Sequence, residues 1–228
     1  MATKKPVQTV EIIQPEFETV EFTIVGTTPL IVHAWSAKAI RMILEKQTKT
    51  ASKGKHEVKI PGNDFKNAAY WLTEMPEDGA DDAESESNYL NAVAAGAHFG
   101  FPVTGIKQSA ITGAARGGLD VKMTELRGAF YIEGATDFAT PDLAEIVGPD
   151  PIMRRDMVKV GGMSKVADIR FRPEWKKWNI PLRMTYNKNG KYSLEQLLAC
   201  FSYGGFVTGI GEWRPERDGQ FGMYEVQV

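Results

Sequence analysis

Apolar and polar residues alternate over residues 20–25 and again over 178–186, and each stretch therefore predicts a half-buried strand. Gly26 and Pro29 break the first of them before a short apolar run at Leu30, Ile31 and Val32. The period then lengthens. Ile40, Ile43 and Leu44 fall on one helical face and Lys38, Arg41 and Glu45 on the other. Ser36 stands where a cap is needed, so a helix lying against the sheet is predicted to run to about Gln47. Residues 48–60 read as a polar, basic loop. Asp64 is placed to cap a helix through Phe65, Ala68, Ala69 and Leu72, and the acidic stretch 76–88 reads as a solvated or disordered insertion. Residues 89–97 read as helical, with a break at 99–102.

From Pro102 to Arg116 the residues are mostly small, with Thr104 available as N-cap; such a helix allows close approach to a sheet or a ligand. Residues 126–132 predict a strand, and 135–150 a loop with one helical turn. Around Gly161 and Gly162 two alternating arms, 157–160 and 166–172, predict a hairpin that places Asp168, Arg170 and Arg172 on one face. A turn at 187–190 leads to Ser193 and Gln196, which form a capping box for a helix through Cys200. Alternation resumes at 223–228. Strand, helix, insertions, strand, hairpin, strand, helix, strand is an α+β order.

With 228 residues, 43% apolar and 25% charged, the chain is long enough for one sizeable core. The net charge of −2 hides a segregation of sign: acids crowd 77–86 while Arg and Lys gather between 154 and 183. The single cysteine, Cys200, excludes an internal disulfide and reads as a small buried hydrophobe. Three scattered histidines give no metal-ligand spacing, and no cofactor is expected. No leader and no long apolar run is seen, so a cytoplasmic protein without a membrane partner is expected. Gly54 and Lys55 lack the rest of a phosphate-binding loop.

The stretch with the most chemistry is 203–222. Gly204 and Gly205 precede Gly209 and Gly211, and Gly219 and Gly222 close an arm holding Trp213, Arg214 and Arg217. Such a loop can cradle phosphates with its amides while an indole stacks on a base. It can equally be a β-hairpin with glycines at its bends and Trp213 in the core.

Three segments resemble the RAMP superfamily, whose members include backbone and processing subunits of CRISPR effector complexes. Gly209, Ile210, Gly211, Gly219, Phe221 and Gly222 are similar to its C-terminal glycine-rich loop. Pro102 through Lys107 to Arg116 is similar to the start of its lysine-bearing helix, and Val25 to Leu30 to its first strand, which ends in Thr-Pro-Leu. The likeness extends to bacteriophage-encoded proteins with a similar run from Gly209 to Glu216, which would place the chain in a bacterial host's cytoplasm. The resemblance implies a modified RRM-like, ferredoxin-like antiparallel sheet with helices on one face, a basic hairpin insertion at 150–172 and a C-terminal glycine-rich loop. One domain over 18–228 would follow a flexible arm at 1–17. The chain is shorter than the CRISPR subunits, and its glycine-loop arm is longer.

The leading expectation is a non-catalytic protein that binds single-stranded RNA or DNA and forms a homo-oligomer along it. Lys107, Arg116, Arg154, Arg155, Lys159, Lys165, Arg170 and Arg172 would meet the backbone, with Arg214 and Arg217 on the loop arm. Amides at Gly209, Gly211, Gly219 and Gly222 would hold phosphates, and Phe206 and Trp213 would stack. An alternative is a metal-independent endoribonuclease with His33 as acid or base and Tyr203 or Lys107 as helper; His56 and His98 form no evident constellation. A third reading is a structural or protein-interaction module of a phage.

Overall fold

A computed structural model describes residues 14–48, 58–138, 140–160 and 166–228. In chain order the elements are β1 (Phe17–Gly26), β2 (Leu30–Ile31), α1 (Ala37–Gln47), α2 (Pro61–Asn67), β3 (Tyr70–Trp71), α3 (Asp82–Ala94), β4 (Phe99–Pro102), α4 (Val103–Arg116), α5 (Met123–Ala129), β5 (Phe130–Glu133), β6 (Leu143–Ile146), β7 (Ile152–Val160), β8 (Val166–Trp175), β9 (Asn179–Asn187), α6 (Leu194–Tyr203) and β10 (Tyr224–Gln227). The strands form three antiparallel sheets, ordered β10-β1-β9-β5, β2-β8-β7 and β3-β4-β6. The chain is thus α+β, and one apolar core draws residues from all three sheets. Among the described residues no helix is long and apolar enough to cross a membrane.

Among the described residues, one face of the four-stranded sheet is buried and the other is polar. Ile180, Leu182, Met184 and Tyr186 alternate inward along β9, and on the same sheet α4 reaches β5 and α6 reaches β10. Phe201 of α6 meets Phe22 and Phe130 at ring distances of 4.9 and 5.4 Å; fully buried, it contributes roughly 1.5–3 kcal/mol. The opposite face is polar and paired, with Arg183 against Glu21 and Glu133 and Thr19 against Thr185. The capping box at Ser193 and Gln196 forms as its spacing predicts, and Cys200 is buried, which pushes its thiol up to about 11. The small residues of α4 serve close packing: a Cβ on Gly113 would lie 2.4 Å from the Cα of Gly204.

Several elements depart from the pattern. Ser36 does cap α1, accepting from the Ala39 amide, but α1 buries none of its residues: Ile40 and Leu44 are more than half exposed. Asp64 caps nothing. The helix begins earlier, at Pro61, whose missing N–H costs nothing in a first turn, and the Asp64 amide donates to Ile60. The acidic stretch is ordered because its carboxylates are caps: Asp81 accepts from the Glu84 amide, Glu84 from Ala80 and Asp82 from Gly62.

Residues 99–102 form a strand between β3 and β6. Its pairing carries straight into α4, so extended Pro102 takes the cap position and Thr104 falls within the first turn. Residues 126–129 belong to a helix that buries Leu126, and strand pairing with β9 begins only at Phe130. The 135–150 segment contains β6 as well as one helical turn at Thr136–Phe138. Residues 1–13 of the expected arm lie outside the described residues, and Phe17 already belongs to β1.

Candidate nucleic-acid interface

The hairpin β7–β8 sorts its side chains by a two-residue period, and the sorting decides which cations are available. Arg154 opposes Arg172 and Asp156 opposes Arg170 on one face. There Arg172 is 1% exposed and donates to Asp156 at 2.6 Å and to Glu212 at 3.0 Å. Arg154 donates to Asp156 at 2.8 Å and Glu174 at 3.0 Å and covers the Phe221 ring. Arg170 lies 3.9 Å from Asp168. Asp168, Arg170 and Arg172 therefore share a face as the alternation predicts, but two guanidiniums expected to bind phosphate, Arg154 and Arg172, hold the hairpin to the glycine loop and to its own strands.

The other face carries Met153, Arg155, Met157, Lys159, Ala167, Ile169 and Phe171, with no carboxylate among these described positions. Arg155 and Lys159 are exposed, Met157 is 86% exposed, and Arg155 reaches over Phe171. Lys165 lies outside the described residues. Lys107 is turned inward: its ammonium donates to the carbonyls of Arg127 and Phe130, and burial lowers its pKa. Arg116 is exposed, 3.3 Å from Glu216.

The glycine loop forms no β-hairpin, and most of the amides expected to hold phosphates are already engaged. Of the four amides expected to hold phosphates, three are spent within the fold, Gly209 donating to Gly204, Gly219 to Arg214 and Gly222 to Pro29, as Ile210 donates to Gly222, Glu212 to Ile31 and Phe221 to Trp213; Gly211 makes no such backbone bond among the described residues. An amide already donating to a carbonyl has nothing left for a phosphate oxygen. Arg214 donates to Gly211 and twice to Glu216, which ties it into the loop, whereas Arg217 is exposed. Trp213, at φ 53°, is 43% exposed with Arg172 near its ring, and so is no core residue. Phe206 is 72% exposed on a single π-helical turn, Gly204–Thr208.

Two clefts open between these elements. The first, about 520 Å³, lies between α1, α2 and β8 and is lined by Trp35, Asp64, Lys59, Asp168, Arg170 and Phe171. The second, about 270 Å³, lies between the first turn of α4, at Thr104, Gly105 and Gln108, and the loop at Gly209 and Gly211. His33 and Glu212 line both. Trp35 (67% exposed), Tyr70 and Glu212 are cleft-lining residues that the pattern alone does not single out. Trp35 directly precedes the Ser36 cap and Glu212 directly precedes Trp213, so position beside a cap and beside a glycine pair was the available signal.

Partial desolvation lowers the pKa of His33, although the residue remains exposed; Glu212 opposes that shift, and Arg170 and Arg172 add to it. The folded state thus resists protonation below the ordinary value of 6.5, and stability falls as pH drops through that value toward the folded one. Replacing His33 by Gln is expected to reduce the drop in Tm between about pH 7 and pH 5; an unaltered drop would remove His33 as its source. The helpers expected for catalysis, Tyr203 and Lys107, line neither cleft. His98 pairs with Glu145 at 2.6 Å on the β4–β6 side, and His56 lies outside the described residues. Among the described residues no three His, Cys, Asp or Glu side chains form a group able to hold a metal ion. No protein-family model matches the chain, and a search of curated proteins gives no match.

Proposed function

We propose that the chain binds single-stranded nucleic acid, RNA or DNA, along a track running from the outer face of the β7–β8 hairpin, past Phe171 and the two clefts, to Arg116. One observation carries this reading: among the described residues, the outer hairpin face combines two outward cations with exposed Met157 and Ile169 and bears no carboxylate. Phosphates meet Arg155 and Lys159 there, and bases turn into the clefts, where Trp35 offers a stacking surface. The clefts themselves suit bases better than phosphates, because Lys59 is already bonded to Asp168 and lies 3.5 Å from Asp64.

The sheet order β10-β1-β9-β5, with α4 and α6 as its two crossovers, is the order of a ferredoxin-like βαββαβ unit and supports an RRM-like reading of the fold. The open sheet face, occupied by Arg183, Glu21 and Glu133, is a poor platform for a polyanion.

Fluorescence anisotropy of labelled RNA and DNA oligomers across a salt series tests this. Affinity is expected to fall steeply with salt, by about 0.7 log units per log unit for each phosphate contacted. Changing both Arg155 and Lys159 to Glu should weaken binding on the order of tenfold and flatten the slope by about 1.4. A parent chain that binds neither polymer at low salt would sink the proposal, and an unchanged slope in the variant would remove the hairpin face from it.

A further inference from the structure

The charge inventory of the clefts points to the kind of base they accept; the inference rests on the strand-binding reading above. The first cleft holds three carboxylates, Asp64, Asp168 and Glu212, against Lys59 and Arg170. Lys59 donates to Asp168 and to the carbonyl of Ile169. The second cleft holds Glu212 and Glu216, and Arg214 is bonded to Glu216. Among the charged side chains that line the clefts, the carboxylates Asp64, Asp168, Glu212 and Glu216 outnumber the cations Lys59, Arg170 and Arg214.

Glu212 is the acceptor common to both clefts, and it is held in place. Its Oε2 accepts from Arg172 at 3.0 Å, and that guanidinium is buried and bonded to Asp156 at 2.6 Å. Its amide donates to Ile31 at 2.8 Å, and the preceding Gly211 has φ 76°, with no room for a Cβ beside the Ile31 carbonyl 2.4 Å away. Oε1 accepts no hydrogen bond among the described residues. A fixed carboxylate in a cleft that an exposed indole also lines suits a flat ring whose edge carries N–H donors. An exocyclic amino group meets that need. Uracil and thymine set a carbonyl oxygen where cytosine carries its amino group, and two acceptors then face each other without a proton.

We propose that the clefts joined at Glu212 form a nucleobase pocket selecting bases with an exocyclic amino group, cytosine over uracil in the simplest comparison. Trp35 stacks on the ring and Glu212 Oε1 accepts from the amino group. Neither contact involves Arg155 or Lys159, so selectivity and salt dependence are separable.

The test is competition anisotropy with short oligo(C) and oligo(U) RNA at one ionic strength, on the full chain and on Glu212→Gln. The parent is expected to prefer oligo(C) on the order of tenfold. Glu212→Gln keeps an acceptor for Arg172 but presents an amide in place of the carboxylate; its ratio should fall close to one while its salt slope stays parental. Equal affinity of the parent for the two oligomers, or a preference that survives Glu212→Gln, overturns the pocket. Because Trp35 is largely exposed, Trp35→Ala keeps the core intact; it should weaken both oligomers similarly, and undiminished binding would overturn the stacking contact. If no oligomer binds, the strand reading fails, and titration of cytidine and uridine followed by tryptophan fluorescence decides the pocket alone. A response to cytidine that is lost in Glu212→Gln sustains it, and no response overturns it.

Discussion

Replacing Arg172 by leucine should lower the folding stability by about 3 kcal/mol, toward the lower end of the 3–5 kcal/mol found when one partner of a buried ion pair is removed. The guanidinium is 1% exposed and joins Asp156 to Glu212. Its loss leaves Asp156, itself nearly buried, with Arg154 as its cation, while Glu212 is exposed enough to turn to water. Those two escapes place the effect at the low end. So does the Nε of Arg172, which has no partner, since an unmade hydrogen bond already subtracts from what the native network is worth. Urea unfolding reads the change as a fall in midpoint with the slope preserved. Arg155→Ala is the control and should stay within about 0.5 kcal/mol, because that side chain stands in water. Equal, small shifts for the two variants would mean that the network contributes no net stability.

Gly222→Ala is expected to cost at least as much, roughly 3 kcal/mol or more, through strain at a special backbone position and overpacking together. Gly222 has φ 65°, where a Cβ is penalised, and that Cβ would sit 1.8 Å from the carbonyl oxygen of Ile210. The oxygen cannot retreat freely, because the Ile210 amide donates to Gly222 and the Gly222 amide donates to Pro29. A shift here therefore pulls on the loop and on the turn after β1 at once. Gly128 makes the contrast. A Cβ there meets nothing within 4 Å and the residue lies in α5, so Gly128→Ala should be neutral or stabilise by up to about 1 kcal/mol. A Gly222→Ala chain with a parental thermal midpoint would refute the close packing described for the loop.

Elements whose signal is local were readable from the residues. Ser36 and the pair Ser193 and Gln196 mark helix starts because a cap is made within four residues, and alternation marks β1, β9 and the hairpin because a pleat is a property of neighbours. What escaped depended on distant partners. Residues 126–129 look like the start of a strand until Tyr192 and Lys191 are seen to hold Glu125 from sixty-odd positions away. The acids at 81–84 are solvated as their composition suggests, but they are also ordered, because Gly62 and Ala80 donate to them.

The same distinction applies to the site. A cluster of Arg and Lys reads as a basic face, yet only the fold says that Arg172 meets Glu212, forty residues on, while Arg155 meets solvent. Glycines at 209, 211, 219 and 222 read as a cradle, yet 211, 219 and 222 are needed because backbone passes against backbone at Ile31, Trp213 and Ile210, and 209 because Pro215 packs against it. Periodicity placed α1 on the sheet, but its apolar face is exposed at Ile40 and Leu44, an amphipathic helix whose partner the pattern does not name.

The position of β1 also governs the order in which the molecule is assembled. Its two neighbours are β9 and β10, and partners such as Thr23 and Gln227 stand about two hundred positions apart. During synthesis the emerging β1 therefore has both edges open, with Phe22 and Ile24 lacking their cover, until most of the chain has left the ribosome. Closing so long a loop is entropically costly and gains nothing until the contact is made, which slows folding. The half-made chain presents a strand edge ready to pair with another copy, so the yield of folded protein should depend on how long that edge stays unoccupied.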